Sequence, residues 1–451
     1  MIRRIIRAVL RIALRVYFRR IEVTGLENVP PTSPVIFVLN HPNALVDPAF
    51  LLCLAPRRVA FIAKAPLFHM PLIGSLVRSL DSLPAYRPQD QGQDVTRNIE
   101  TFTAARKLLA RGITIGICPE GVSHDEPRLK PLKTGAARIA LAAASSGEAF
   151  DLKIVPVGLY YTEKTTFRSS ALLYFAEPLP VKRVKLEADG TPPRDAVREL
   201  SDQIEAALRE VMLHAEQEEA LSLIGRAEQI FSAAEIDEHD EEQRLERSLE
   251  LRQKLLEGYA FLRSSSPRRI DAIEARIARF EYELKQAGID PADLSLPPTA
   301  AHTIFKLLAQ VLTCALLAPL ALIGAVLHYP AYRFAGYLSR RLARHEQDVV
   351  STFKIISAML LFPLTWIAVS IALWRLAGWP AGVAALILTP LCGYVAVRFF
   401  EEIDRFFGGF VALALFVTRR RSFVRLLAER AAIHRDILAL GDEAARFVKP
   451  V

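Results

Sequence analysis

The sequence predicts an α/β domain, a mostly parallel sheet covered by helices, followed by a charged helical segment and an α-helical membrane region. Three observations carry this. Brief Val- and Ile-rich runs bounded by Pro or Gly alternate with helical stretches from residue 21 to about 185. Leucine and isoleucine then recur at three- and four-residue steps among Glu, Arg and Lys through 192–290. Beyond residue 300 come apolar stretches near the ~20 residues that a bilayer core requires.

The opening "MIRRIIRAVLRIALRVYFRR" is no secretory signal, because Arg3, Arg7, Arg11 and Arg15 interrupt any apolar core. At helical spacing the four form one stripe, and Ile5, Ile6, Val9, Leu10, Ala13, Leu14 and Val16 fill much of the rest. Residues 1–20 therefore read as a basic amphipathic helix suited to an anionic membrane surface; packing on the following domain is the alternative.

Between 21 and 190, "PVIFVL" (34–39), "VAFIAK" (59–64), "GITIGIC" (112–118) and "LKIVPVGLYY" (152–161) read as buried strands. "DPAFLLCLA", "QDVTRNIETFTAARKLLARG" and "KTGAARIALAAASSG" read as the helices between them. Ligands in such sheets lie beyond the carboxyl ends of the strands, so the turns there matter most.

Residues 191–296 read as a charged helical segment, broken at "DEHDEEQ" (237–243) and "SSSPRR" (264–269); it is a spacer or a partner-binding coiled coil. Residues 297–418, after "SLPPTA" (295–300), read as a membrane region with two to three hydrophobic helices. The stretches lie at 307–329, 355–374 and 380–399, with a shorter one at 406–417. Arg333, Arg340, Arg341, Arg344 and Lys354 flank the second stretch, and Arg419, Arg420, Arg421 and Arg425 open a basic amphipathic C-terminal helix over 419–451. Both clusters belong on the cytoplasmic side. Two spans joined by an outer turn at "RLAGW" satisfy that, with 307–329 re-entrant or interfacial.

The net charge of +8 favours anionic partners such as nucleic acid, an anionic bilayer or a phosphorylated substrate. Nucleic acid is disfavoured, because the arginines cluster at membrane-flanking positions without stacking aromatics. Cys53, Cys118, Cys314 and Cys392 stand far apart in apolar settings, which suggests neither disulfides nor a metal site.

No phosphate-binding loop of the Walker type, dinucleotide fingerprint or nucleophile elbow is present. Polar residues at strand ends stand out instead. In "NHPNALVDP" (40–48), Asp47 could orient His41 as a general base, or cap the helix that starts at Pro48. In "CPEGVSHDEPRLKPLKTGAARIAL" (118–141), Glu120, Gly121, Ser123 and Lys133 suit a phosphate pocket, or an ordinary solvated loop. Arg87 in "LPAYRPQD" could clamp phosphate or be structural. "IVPVGLYY" reads as a core strand and little else.

Together, these ordered blocks resemble the glycerolipid acyltransferase superfamily over about 30–180. They look most like its fungal-type glycerol-3-phosphate/dihydroxyacetone-phosphate branch and bacterial relatives. The five residues between His41 and Asp47, one more than the usual family spacing, fit that branch. Val122 and Ser123 stand where many relatives carry Thr-Arg, so Arg87, Arg128, Lys130 or Lys133 must supply that charge. The resemblance makes 21–190 an acyltransferase domain with His41 and Asp47 as catalytic residues and Arg87, Glu120, Gly121, Ser123 and Lys133 around the substrate. It implies transfer from acyl-CoA or acyl carrier protein to glycerol 3-phosphate or dihydroxyacetone phosphate in phospholipid biosynthesis, with no metal or redox cofactor. Lysophosphatidate and other lysophospholipids are alternative acceptors, and a non-catalytic lipid-binding scaffold is an alternative of another class. The expected setting is a membrane with the catalytic domain on its cytoplasmic face; the sequence names no protein partner.

Overall fold

A computed structural model of the chain describes residues 2–70, 73–87, 90, 95–126, 128–145, 151–212, 220, 223–227, 244–289, 294, 300–344 and 346–448. The expected breaks at 237–243 and 295–299 lie outside the described residues. Two compact units divide the chain. The first comprises Met1–His214, Glu242–Leu249 and Ser339–Ile355, and the second Ala215–Glu241, Glu250–Leu338 and Ile356–Val451.

The first unit holds an eight-stranded sheet. Its strands are β1 (Arg20–Thr24), β2 (Val35–Leu39), β3 (Val59–Lys64), β4 (Leu83–Ala85), β5 (Thr114–Ile117), β6 (Lys153–Tyr161), β7 (Ser170–Phe175) and β8 (Leu179–Pro180). The order is β1-β7-β6-β2-β5-β3-β4, with β8 on β6, and only the β6–β7 and β6–β8 pairings are antiparallel. All five residues of β2 are buried, as befits a parallel strand covered on both faces. From β2 the chain first builds outward through β3 and β4, returns as β5, then crosses to β6 on the other side. The carboxyl ends of β2, β5 and β6 thus meet at a switch point, where open α/β sheets bind ligands.

Helices α2 (Val46–Leu54), α3 (Ile73–Ser79), α4 (Asn98–Ala110), α5 (Gly135–Ala144) and α6 (Arg194–Val211) complete this layer structure. Helix α6 begins the segment read as a charged spacer, yet Val197, Leu200, Ile204, Leu208 and Val211 are buried in the sheet core with Ile36, Ile154 and Ala140. The α/β unit therefore runs past residue 190, because the apolar stripe of α6 covers a sheet face that would otherwise be wet. Gly158 permits this contact: a Cβ there would lie 1.9 Å from the Val211 carbonyl oxygen.

Helix α1 (Ile2–Tyr17) is amphipathic, but its arginines do not all face outward. Arg11 donates to the Cys53 carbonyl near the end of α2 at 2.6 Å, and Arg3 reaches Val59 O at 2.5 Å and Asp81 at 2.8 Å. Cations satisfy the free carbonyls at a helix C-terminus, which explains the choice of α2. The apolar stripe Ile2, Ile5, Val9, Ile12 and Val16 is exposed, together with Arg4, Arg11 and Arg15.

In the second unit, α7 (Arg244–Ser265) and α8 (Pro267–Ala287) lie in the charged segment; the first residues of α7 belong to the first unit. Three long apolar helices follow: α9 (Ala300–Ala343), α10 (Val350–Ala377) and α11 (Trp379–Thr418). Each is long and apolar enough to cross a membrane. The stretch expected to stop at 329 continues through Pro319 and Pro330 to Ala343, and those at 380–399 and 406–417 are one helix despite Glu401, Glu402 and Asp404. Forty residues span ~60 Å, about twice a bilayer core, so charged turns of α11 extend beyond any apolar layer. The α9 residue His328 accepts a hydrogen bond from Trp366 Nε1 of α10 at 2.8 Å, and its ring lies against Gly393 of α11. Helix α12 (Arg420–Val448) packs on α8 with the pairs Arg276–Glu429 (2.6 Å) and Arg425–Glu283 (2.8 Å), while its buried Phe423 meets Phe416 of α11 at 5.5 Å.

Candidate active site

The site begins where β2 ends. Asn40 pins that end to β6, donating to Leu159 O at 3.0 Å and accepting from Leu159 N at 2.8 Å. The chain then turns through His41–Leu45, with Ala44 at φ +34°, a left-handed value that costs a β-carbon residue energy. Helix α2 starts at Val46, so Asp47 lies within its first turn; the N-cap position falls to Leu45, which makes no side-chain cap. The capping alternative for Asp47 is thereby corrected: its carboxylate points back into the turn.

Asp47 is wholly buried. Its Oδ2 lies 2.9 Å from His41 Nδ1 and accepts from Asn43 N at 2.7 Å, while Oδ1 accepts from the Tyr161 hydroxyl at 2.6 Å. Three donors thus balance one buried carboxylate, as burial of a charge demands. Tyr161, the last residue of β6, is held by Phe18 and Phe50, with ring centroids 5.7 and 5.9 Å away. Burial, reinforced by the Asp47 charge, pushes its phenol well above the usual tyrosine value, so it remains a donor. "IVPVGLYY" is therefore more than a core strand. Its polar signal was a tyrosine at a strand's carboxyl end.

The His41 side chain keeps 19% exposure. Burial disfavours its charged form, but the neighbouring Cys118 sulfur, when ionised, and the hydrogen-bonded Asp47 outweigh this and hold the imidazole well above the usual histidine value. With Nδ1 facing Asp47, Nε2 is the nitrogen left for a substrate.

The turn after β5 is stitched to the first. Glu120, 2% exposed, accepts from His41 N at 3.2 Å and Lys130 N at 2.9 Å, and also pairs with His124 Nε2. His124 N donates to His41 O at 3.2 Å. Glu120 thus organises the turn. Gly121 adopts φ +74°, a conformation that favours glycine.

The remaining residues named from the sequence are not all free. Arg87 makes a bidentate pair with Asp90 at 2.9 and 2.6 Å and donates to Gly121 O at 2.6 Å, leaving two of its five N–H donors. The Arg87 hydrogen bonds hold the Asp90 carboxyl below its ordinary value. Ser123 donates to Asp348, a residue no local spacing could reveal. Lys133 is exposed beside Gly121, its Cγ 3.5 Å from where a Cβ would sit.

Residues 20–160 match the Acyltransferase family, and residues 236–445 match the Glycerol-3-phosphate acyltransferase 2 C-terminal domain. The chain thus pairs an acyltransferase domain with a glycerol-3-phosphate acyltransferase 2 C-terminal domain. An uncharacterized acyltransferase of Schizosaccharomyces pombe is 23% identical, covering 98% of this chain and 79% of that protein. Glycerol-3-phosphate O-acyltransferases 2 and 1 of Saccharomyces cerevisiae are 28% and 24% identical over 62% and 78% of this acyltransferase. The matches span only 39% and 58% of those two yeast proteins. Among solved structures, the 1-acyl-sn-glycerophosphate acyltransferase PlsC of Thermotoga maritima is 20% identical, with a TM-score of 0.33, covering 45% of this chain and 78% of that one.

Proposed function

We propose that the chain is a membrane-bound O-acyltransferase that moves a fatty acyl group from an acyl thioester, of CoA or acyl carrier protein, to a hydroxyl of glycerol 3-phosphate or dihydroxyacetone phosphate. The observation that carries this is the His41–Asp47 pair, 2.9 Å apart, with a buried carboxylate behind a partly exposed ring at the carboxyl edge of the sheet. His41 Nε2 takes the acceptor's proton as its oxygen attacks the thioester carbonyl, and Asp47 stabilises the imidazolium. A backbone amide holds the oxyanion; collapse expels the thiolate, which receives the proton from His41. Lys133 and the two remaining donors of Arg87 hold the acceptor phosphate, while Glu120, Gly121 and Ser123 shape the turn beside it. These proton and acyl transfers balance without a metal or redox cofactor.

The names of the yeast relatives favour glycerol 3-phosphate as acceptor. A 29% identical Borreliella burgdorferi protein, matched over 35% of this chain, is named 1-acyl-sn-glycerol-3-phosphate acyltransferase. Membrane lipid provides the setting, and the arginine-rich flanks favour a cytoplasmic face for the catalytic domain. Purified protein in detergent, given acyl-CoA and a panel of acceptors, should acylate glycerol 3-phosphate or dihydroxyacetone phosphate. Transfer only to lysophosphatidate would overturn the acceptor assignment. Lipid binding with no transfer from CoA or carrier-protein thioesters would replace the enzyme by a scaffold.

A further inference from the structure

We propose that residues 346–354, which join α9 to α10, form a clamp that holds both catalytic turns in register, with Asp348 and Thr352 as its positioning residues. The reading rests on the proposed role of His41. Asp348, in the turn before α10, and Ser351 and Thr352, in its first turn, are 7%, 0% and 6% exposed, unusual burial for polar residues at the end of an apolar helix. Each has a partner in the α/β unit. Asp348 accepts from Ser123 in the turn after β5, and Thr352 Oγ1 accepts from Leu45 N at 3.2 Å in the turn after β2. Ser351 donates to Lys164 O and shares a hydrogen bond of 3.0 Å with the Tyr17 hydroxyl; Lys354 Nζ donates to Thr165 O at 2.5 Å.

The two catalytic contacts fall where each turn most needs support. Leu45 directly follows Ala44, the strained residue, and stands at the N-cap of α2, where amides lack partners within the helix. Thr352 supplies the acceptor. Ser123 lies two residues beyond Gly121, whose carbonyl holds Arg87, and three beyond Glu120, which binds His41 N. Asp348 therefore bears on the same stitched turn from its far side. Ser351 and Lys354 fasten the clamp to the β6–β7 connection, just beyond Tyr161. The α/β unit carries the chemistry, yet its catalytic geometry is completed by residues 225 and 307 positions downstream of Ser123 and Leu45. The segment Ser339–Ile355 is thus part of the catalytic unit although it lies far downstream in the chain.

The test uses the full chain in detergent, with Thr352→Val, Thr352→Ser, Asp348→Ala, Ser123→Ala and the Ser123→Ala/Asp348→Ala double variant. Acyl-CoA and glycerol 3-phosphate kinetics are paired with hydrogen-exchange mass spectrometry of peptides covering 40–47 and 119–125. Thr352→Val and Asp348→Ala should lower kcat on the order of 10- to 100-fold with little change in KM for acyl-CoA, the signature of misplaced reacting groups. Thr352→Ser should restore the rate, and the double variant should be no worse than Asp348→Ala, because both changes break one bond. Exchange should accelerate in the two turn peptides and stay unchanged in β2 and β6. Wild-type kcat or undisturbed turn exchange in both Thr352→Val and Asp348→Ala would overturn the clamp. If the unmodified protein transfers nothing, the transfer reading fails, while exchange still decides the clamp by itself.

Discussion

His41 and Asp47 stand six positions apart, and each depends on a third residue that sequence spacing does not reach. The pair is legible because a strand, a turn and a helix start confine it locally. Tyr161 lies 114 positions from Asp47 and is indistinguishable, in one sequence, from the buried Tyr160 beside it. The residues proposed to hold phosphate could be named from the sequence, but the engagement of Arg87 by Asp90 and of Ser123 by Asp348 could not. Two expectations follow. A base must be neutral to accept a proton, so kcat/KM should fall as pH drops through the raised His41 value. Asp47→Asn removes a bond that raises that value, so it should move the acidic limb to lower pH while reducing the rate by about 10²- to 10⁴-fold. Tyr161→Phe strips a donor from buried Asp47 and should cost about 1–3 kcal/mol, read as a lower melting temperature in detergent, with a smaller loss of rate than Asp47→Asn. An unchanged melting temperature would remove Tyr161 from the network.

Among elements, the strands with unbroken apolar runs were legible. β1, β4, β7 and β8 were not read as strands: β4 and β8 have only three and two residues, and β1 is interrupted by Glu22. Helix α6 was assigned to the charged segment because an amphipathic stripe does not state whether it meets a sheet or another helix. Helix α1 holds a similar lesson. Its periodicity was plain, but the spacing could not say that Arg3 and Arg11 bind domain carbonyls while apolar residues of the same helix stay exposed. Lipid is the occupant that suits this outward stripe, flanked by exposed Arg4 and Arg15. Ile5→Asp combined with Ile12→Asp should reduce the ability of the protein to reassociate with anionic vesicles after detergent removal, with the α/β fold retained by circular dichroism. Equal recovery on vesicles would assign α1 a purely internal role.

At the scale of the whole molecule, the succession of an α/β domain, charged helices and apolar helices follows composition closely. The division into two units does not, because Glu242–Leu249 and Ser339–Ile355 join a core formed far earlier in the chain. That placement bears on topology. Ser339–Ile355, around the start of α10, belongs to the catalytic unit, and Gly378, at φ +88°, stands between α10 and α11. Reporter fusions should therefore place 345 on the cytoplasmic side and 378 opposite; an external signal at 345 would contradict this arrangement. The most direct test of the central claim is transfer of labelled acyl from acyl-CoA to glycerol 3-phosphate by purified wild-type protein and by His41→Ala. The account predicts acylated product from the wild type and a loss of at least ~10²-fold in His41→Ala. Undiminished transfer by His41→Ala would contradict it.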